Sequence, residues 1–119
     1  MNNPPAYVDL AQVVSDWLVD AKAAAQLSDK FEKVKKAIKF LREVGPGHPG
    51  FHTHKMENLP GPDGRDIWNS YIENNTANAW RMYWLWEDDG GITVVSVGPH
   101  THNPGTQPQI SRKGKMADS

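Results

Sequence analysis

Four of the five histidines fall in two His-x-His pairs, His52 and His54 in "FHTHK" and His100 and His102 in "PHTHN". Residues two apart share one face of an extended strand. Imidazole takes up and releases protons near neutral pH, so such pairs suit general acid–base chemistry on a phosphodiester. A His-x-His pair also suits metal binding. No carboxylate stands at a short, suggestive spacing beside either pair, and the chain has no cysteine. Three readings stay open for the histidines: proton transfer or phosphate contact at His54, His100 or His102, a metal site, or plain surface residues. The first is the functional expectation, and no cofactor is called for.

The second chemical group lies in "NAWRMYWLWEDDGGITVVSVGPHTH", which sets Arg81 among Trp80, Trp84 and Trp86. A guanidinium presents a planar fork of donors to a phosphate or carboxylate. Its bland alternative is an ion pair across a sheet, with Glu73 or another acid. Both readings orient Arg81; only the first requires room for a ligand. The tryptophans are expected to be core, although aromatic rings also stack nucleotide bases.

Composition bounds these options. At 119 residues, with 38% hydrophobic and 23% charged residues, the chain is long enough to build one ordinary core. Without cysteine, disulfides, thiolate metal sites and cysteine nucleophiles are excluded. The start "MNNPPAYVDL" lacks the basic and apolar regions of a signal peptide, and no 18-residue apolar run is present. A cytoplasmic protein with no membrane association is expected. The net charge of −1 is uneven: residues 28–44 carry +3, residues 45–102 carry −4 and residues 103–119 carry +2. A polyanion would meet attraction only locally.

Two helices must come first. In "VDLAQVVSDWLVDAKAAAQL", Leu10, Val13, Trp17 and Ala21 recur at helical spacing, with Asp9 as the expected N-cap. In "SDKFEKVKKAIKFLREVGPG", Phe31, Val34, Ile38 and Leu41 form the stripe, Asp29 and Glu32 fit a capping box, and Gly45-Pro46 stops the helix. Only Gln26 to Ser28 separate them, which predicts an antiparallel helical hairpin.

From Phe51 onward the period becomes 2. "RDIWNSYIEN" alternates Ile67, Asn69, Tyr71 and Glu73 against Trp68, Ser70 and Ile72. "AWRMYWLWE" sets Trp80, Met82, Trp84 and Trp86 against Arg81, Tyr83, Leu85 and Glu87. "EDDGG" signals a tight hairpin, and "ITVVSVG" a central strand. The fold class expected is α+β, with the helical hairpin on one face of a three- to four-stranded antiparallel sheet. Residues 1–102 would form that single domain and 103–119 a polar, flexible tail. The tryptophans would lie under the helices, and Arg81 and Tyr83 on the open face.

This order, with the strings "GPGHPGFHTHKM", "SYIEN", "AWRMYW" and "VVSVGPHTH", resembles the RelE/ParE-like toxin superfamily, including its HigB-type branch. The resemblance covers about residues 9–102. It implies the toxin of a toxin–antitoxin pair, a metal-independent endoribonuclease acting on mRNA, commonly on the ribosome. By position, Arg81 and Tyr83 would occupy the signature strand, with Arg81 stabilising phosphate charge. Tyr71 and Glu73 would face RNA on the neighbouring strand, joined by Lys55, and His100 and His102 lie where some members keep a catalytic acid or base. The implied partner is a cognate antitoxin encoded beside it, meeting the basic second helix at Lys35, Lys36 and Lys39. The acidic sheet half, and the lack of a lysine–arginine pair beside Tyr71 and Glu73, point to the alternative, a non-catalytic interaction protein of the same fold such as a gyrase-type inhibitor.

Overall fold

In a computed structural model that describes residues 4–99, apart from the side chains of Asn58 and Pro60, the chain is α+β. The elements are β1 (Val8–Leu10), α1 (Gln12–Ala23), α2 (Ser28–Glu43), β2 (His54–Pro60), β3 (Asp66–Tyr71), β4 (Trp80–Trp86) and β5 (Ile92–Pro99). The strand order in the sheet is β1-β5-β4-β3-β2. Strands β2 to β5 pair antiparallel in succession. β1 lies parallel to β5, so the sheet is mixed and has five strands rather than three or four.

α2 forms where its stripe demands. Val34, Ala37, Ile38 and Leu41 are buried on one face, while Lys33, Lys35, Lys36 and Lys39 remain exposed. The capping box is not used: Leu27 is the N-cap and contributes no side-chain bond. Asp29 instead pairs with Lys33 one turn on, at 3.2 Å, where a carboxylate also suits the helix N-terminus. At the other end Gly45, with φ 101°, sends its N–H back to the Phe40 carbonyl. That left-handed closure is open to glycine at little cost. α1 starts after Ala11, also without a side-chain cap. Asp9 is not a cap, because β1 claims it opposite Thr93.

The main core lies between the helices and one sheet face. Val14, Val34, Ile38 and Leu41 meet Met82, Trp84, Ile92 and Val94, with Trp17, Trp68, Trp80 and Trp86 packed around them. The tryptophan stripe is thus core, as expected. A bulge in β5 makes this work. Trp86 pairs with Ile92 and Trp84 with Val94, but Met82 pairs with Val97, so the register shifts by one residue. Side chains of odd and even number then reach the same face. Without the bulge, Val97 would point away from Met82.

The opposite face is not the open surface expected. Ile67, Tyr83, Leu85 and Val95 form a second buried cluster, with Met56 and Leu59 packed against it. Arg81 retains only 8% exposure and Tyr83 only 3%. Arg81 and Glu87 do lie on that face, but Tyr83 and Leu85 between them, with Ile67 and Val95 on the neighbouring strands, are large and bury it. Glu87 itself is buried and accepts the Thr93 hydroxyl at 2.6 Å.

The β4–β5 turn carries β1 with it. Glu87 N–H donates to the Gly91 carbonyl, and Ile92 N–H to that of Tyr7. The Tyr7 hydroxyl donates to Asp89 at 2.7 Å, laying its ring across Gly91. A Cβ on Gly91 would fall inside that ring. Gly91→Ala is therefore expected to cost about 2–3 kcal/mol by expelling Tyr7. Urea denaturation in wild-type and Tyr7→Ala backgrounds checks this, since the penalty should largely vanish once the ring is gone.

Candidate functional site

The turn between α2 and β2 is held by a directional chain of hydrogen bonds. The Trp84 indole N–H donates to Ser70 Oγ at 2.9 Å, and the Thr53 hydroxyl donates to the Pro46 carbonyl at 2.8 Å. Thr53 Oγ1 and Ser70 Oγ lie 2.7 Å apart. With the Thr53 proton committed, Ser70 donates to Thr53, and the chain runs from the core to the turn. Ser70→Ala would strand a buried indole N–H. The expected loss is about 1–3 kcal/mol by chemical denaturation, and Ser70→Thr, which keeps a hydroxyl, should lose less.

That anchored turn presents His52 and His54. His52 holds a left-handed conformation, φ 47° and ψ 44°, uncommon for a residue with a Cβ. Its ring lies 5.2 Å from the Tyr71 ring, and Asn74 Nδ2 approaches its Nε2 at 3.4 Å. His54 opens β2 opposite Asn69, and its ring meets the Tyr71 edge at 6.3 Å between centroids. Its Nδ1 is 3.0 Å from the His52 carbonyl oxygen, which can only accept, so this ring nitrogen carries the proton. Tyr71 stands opposite Arg81, whose guanidinium carbon sits 3.7 Å from the Tyr71 ring centre. Stacked in this way, Arg81 also donates to the carbonyls of Glu73, at 3.3 Å, and Ala79, at 3.2 Å. The structure thus gathers His52, His54, Tyr71 and Arg81, with both histidines exposed and Arg81 beneath.

The remaining expected residues fall elsewhere. Tyr83 is buried beside this group, and burial raises its hydroxyl above the usual range despite the opposing charge of Arg81. Lys55 is exposed on β2 but shares the register of Trp68, so it belongs to the other side of the sheet from His54. Glu73 leaves the Tyr71 face altogether. The N–H groups of Ile72 and Glu73 both donate to the Trp80 carbonyl, a local break in alternation that turns Glu73 toward α2. Its Oε2 accepts from Lys30 at 2.6 Å and from Lys33 at 2.8 Å, and its Oε1 from the Trp80 N–H at 3.1 Å. Burial pushes the Glu73 carboxyl upward, but those three donors outweigh it and hold it at about 2. The Arg81–Glu73 contact is a hydrogen bond to the Glu73 main-chain carbonyl and not the ion pair expected, the carboxylate being engaged by Lys30 and Lys33.

Lys35, Lys36 and Lys39 are exposed on α2. Lys35 lies over Phe31 and Lys36 over Phe40. His100 and His102 lie outside the described residues, as does the tail 103–119. Among the described residues no three His, Cys, Asp or Glu side chains are gathered in a way that would hold a metal ion, and no helix is long and apolar enough to cross a membrane.

Two features went unread in the sequence. His52 stands in the sequence as half of a His-x-His pair, but its contact with Tyr71 depends on a backbone turn that no periodicity encodes. His48, the one histidine outside the two pairs, has its ring 4.9 Å from that of Phe40, stacked, and 4.9 Å from that of Phe51. Comparison with protein-family models, curated proteins and solved structures returns no match.

Proposed function

We propose that this chain is a toxin of the RelE/HigB kind, an endoribonuclease that cuts RNA by metal-independent acid–base chemistry on the His52–His54 face. The observation that carries the reading is the convergence of two exposed imidazoles on Tyr71, which is itself stacked on Arg81. One imidazole takes the proton of a ribose 2′-OH as that oxygen attacks the adjacent phosphorus. The other gives a proton to the departing 5′ oxygen. The products are a 2′,3′-cyclic phosphate and a 5′-hydroxyl, with no net change in protons or electrons. Arg81 acts as a positioning residue for Tyr71, because its own exposure is slight. Two helices followed by four successively antiparallel strands support the same reading, since that is the layout of the superfamily.

Induced expression tests it. Growth should arrest and mRNA should be cut at discrete sites, with purified protein cutting RNA when ribosomes are present. The burial of Arg81 favours a second reading, a non-catalytic interaction protein on the same scaffold. Intact RNA together with loss of DNA supercoiling by gyrase would select that reading and reject the nuclease.

The partner belongs to the same proposal. An antitoxin from an adjacent gene would lay an acidic amphipathic segment on the basic face of α2, burying roughly 1,600 Å². Reversing charge at Lys35, Lys36 and Lys39 should then break co-purification. A complex indifferent to that change places the contact on another surface.

A further inference from the structure

A cleft of about 380 Å³ opens between α2, the turn at 48–51 and the β3–β4 loop, beside the histidine face. We propose that it is a nucleotide subsite, holding one nucleoside monophosphate unit of an RNA strand whose neighbouring phosphodiester reaches His52. The inference rests on the nuclease reading and adds to it a place for the base and phosphate.

The volume falls within the usual range for small-molecule sites. Its chemistry is divided as a nucleotide requires. Phe40, Phe51 and the His48 ring supply an aromatic wall, with Phe40 and His48 stacked at an interplanar angle of 23°. A base presents a π-face to such a wall, whatever its sequence. His48 is oriented, because its Nδ1 accepts the Gly50 N–H at 3.0 Å. The uncharged ring then carries its proton on Nε2, as a donor.

Charge is supplied by one residue. Lys33 and Lys36 both line the cleft. Lys33 is shared between Glu73 and Asp29, and Glu73 is already neutralised by Lys30 and Lys33. Among the described residues no carboxylate pairs with Lys36, which lies over the Phe40 ring at 5.6 Å. An incoming phosphate would meet that ammonium beside the aromatic wall. Asn74 and Thr76, both exposed on the loop, offer amide and hydroxyl groups to the sugar and base edge.

The cleft also continues into the histidine face. Tyr71 lines it, and Asn74 lies at its rim within 3.4 Å of His52 Nε2. A strand seated by one nucleotide in the cleft passes its next phosphate over Tyr71. This gives the exposed imidazoles a defined bond to act on.

The test is titration of the full chain with 5′-AMP, adenosine, inorganic phosphate and a non-cleavable 2′-deoxy dinucleotide, followed by amide chemical shifts and calorimetry. The expected result is shifts at Lys36, His48 and Asn74 with AMP, weaker binding of adenosine and of phosphate, and at least about tenfold weaker AMP binding in Lys36→Gln. The dinucleotide should bind more tightly than AMP. Equal affinities would assign the cleft to a free nucleotide and overturn its role as a substrate subsite. AMP shifts elsewhere, or binding untouched by Lys36→Gln and His48→Ala, would overturn the site itself. RNA cleavage without AMP binding defeats the cleft and leaves the nuclease standing. AMP binding without cleavage defeats the nuclease and leaves the cleft.

Discussion

Replacing His54 by alanine is expected to lower RNA cleavage by a factor of about 10² to 10⁴, the usual contribution of a positioned acid or base. That corresponds to roughly 3–5 kcal/mol of barrier. The side chain is exposed and its one described hydrogen bond is to the His52 carbonyl, so the thermal midpoint should barely move. His52→Ala should act similarly, and the double variant should be little worse than either alone, because acid and base serve one step. Initial rates on a defined RNA, beside melting curves of the same samples, separate chemistry from folding. A His54→Ala protein that cuts RNA at the wild-type rate would remove His54 from the reaction.

The second large effect concerns acid. Glu73 has an ordinary carboxyl value of 4.5 when unfolded and one of about 2 when folded. A depressed folded value means that its stabilisation is complete above 4.5 and drains away as pH falls from there through about 2. Its side chain is only 8% exposed, but Lys30 and Lys33 are 31% and 44% exposed, which screens the pair. After that discount the expected contribution is roughly 2 kcal/mol. Glu73→Gln should be less stable by about that amount at neutral pH, and its denaturation midpoint should fall less steeply below pH 4.5. Parallel acid profiles for the two proteins would show that the carboxylate is not the source.

How much of this was legible before folding depends on the range of the interaction. The α2 stripe and the tryptophan face of β4 are periodic over several turns or pleats, and both were readable. β1 was not: three residues carry no period, and "VDL" merged into the helix that follows. Its strand exists only because β5 offers an edge much later in the chain. The bulge near Val94 hides in a run of β-branched residues where every register looks alike. At the site, the placing of Tyr71 on the strand beside Arg81 follows from alternation, whereas its standing opposite Arg81 in place of Glu73 comes only from the register. The approach of His52 does not, because it needs a left-handed residue that a Gly or Asn would have announced and a histidine did not. Glu73 misled for a similar reason, since its strand breaks period one residue too early.

The parallel pairing of β1 with β5 has a consequence for synthesis on the ribosome. Chain growth delivers the segment around Val8–Leu10 long before its partner Ile92–Val94. While α1 and α2 emerge, Val8 and Leu10 have no strand beside them, and the sheet begins from β2 outward. The final edge closes only when Tyr7 reaches back to Asp89 and Gly91. Until then β5 presents unpaired amides and carbonyls to any strand nearby. A nascent chain stalled short of this point is the form most exposed to pairing with a second copy of itself. Crowding on one messenger would raise that hazard, and the hazard ends when β1 docks on β5.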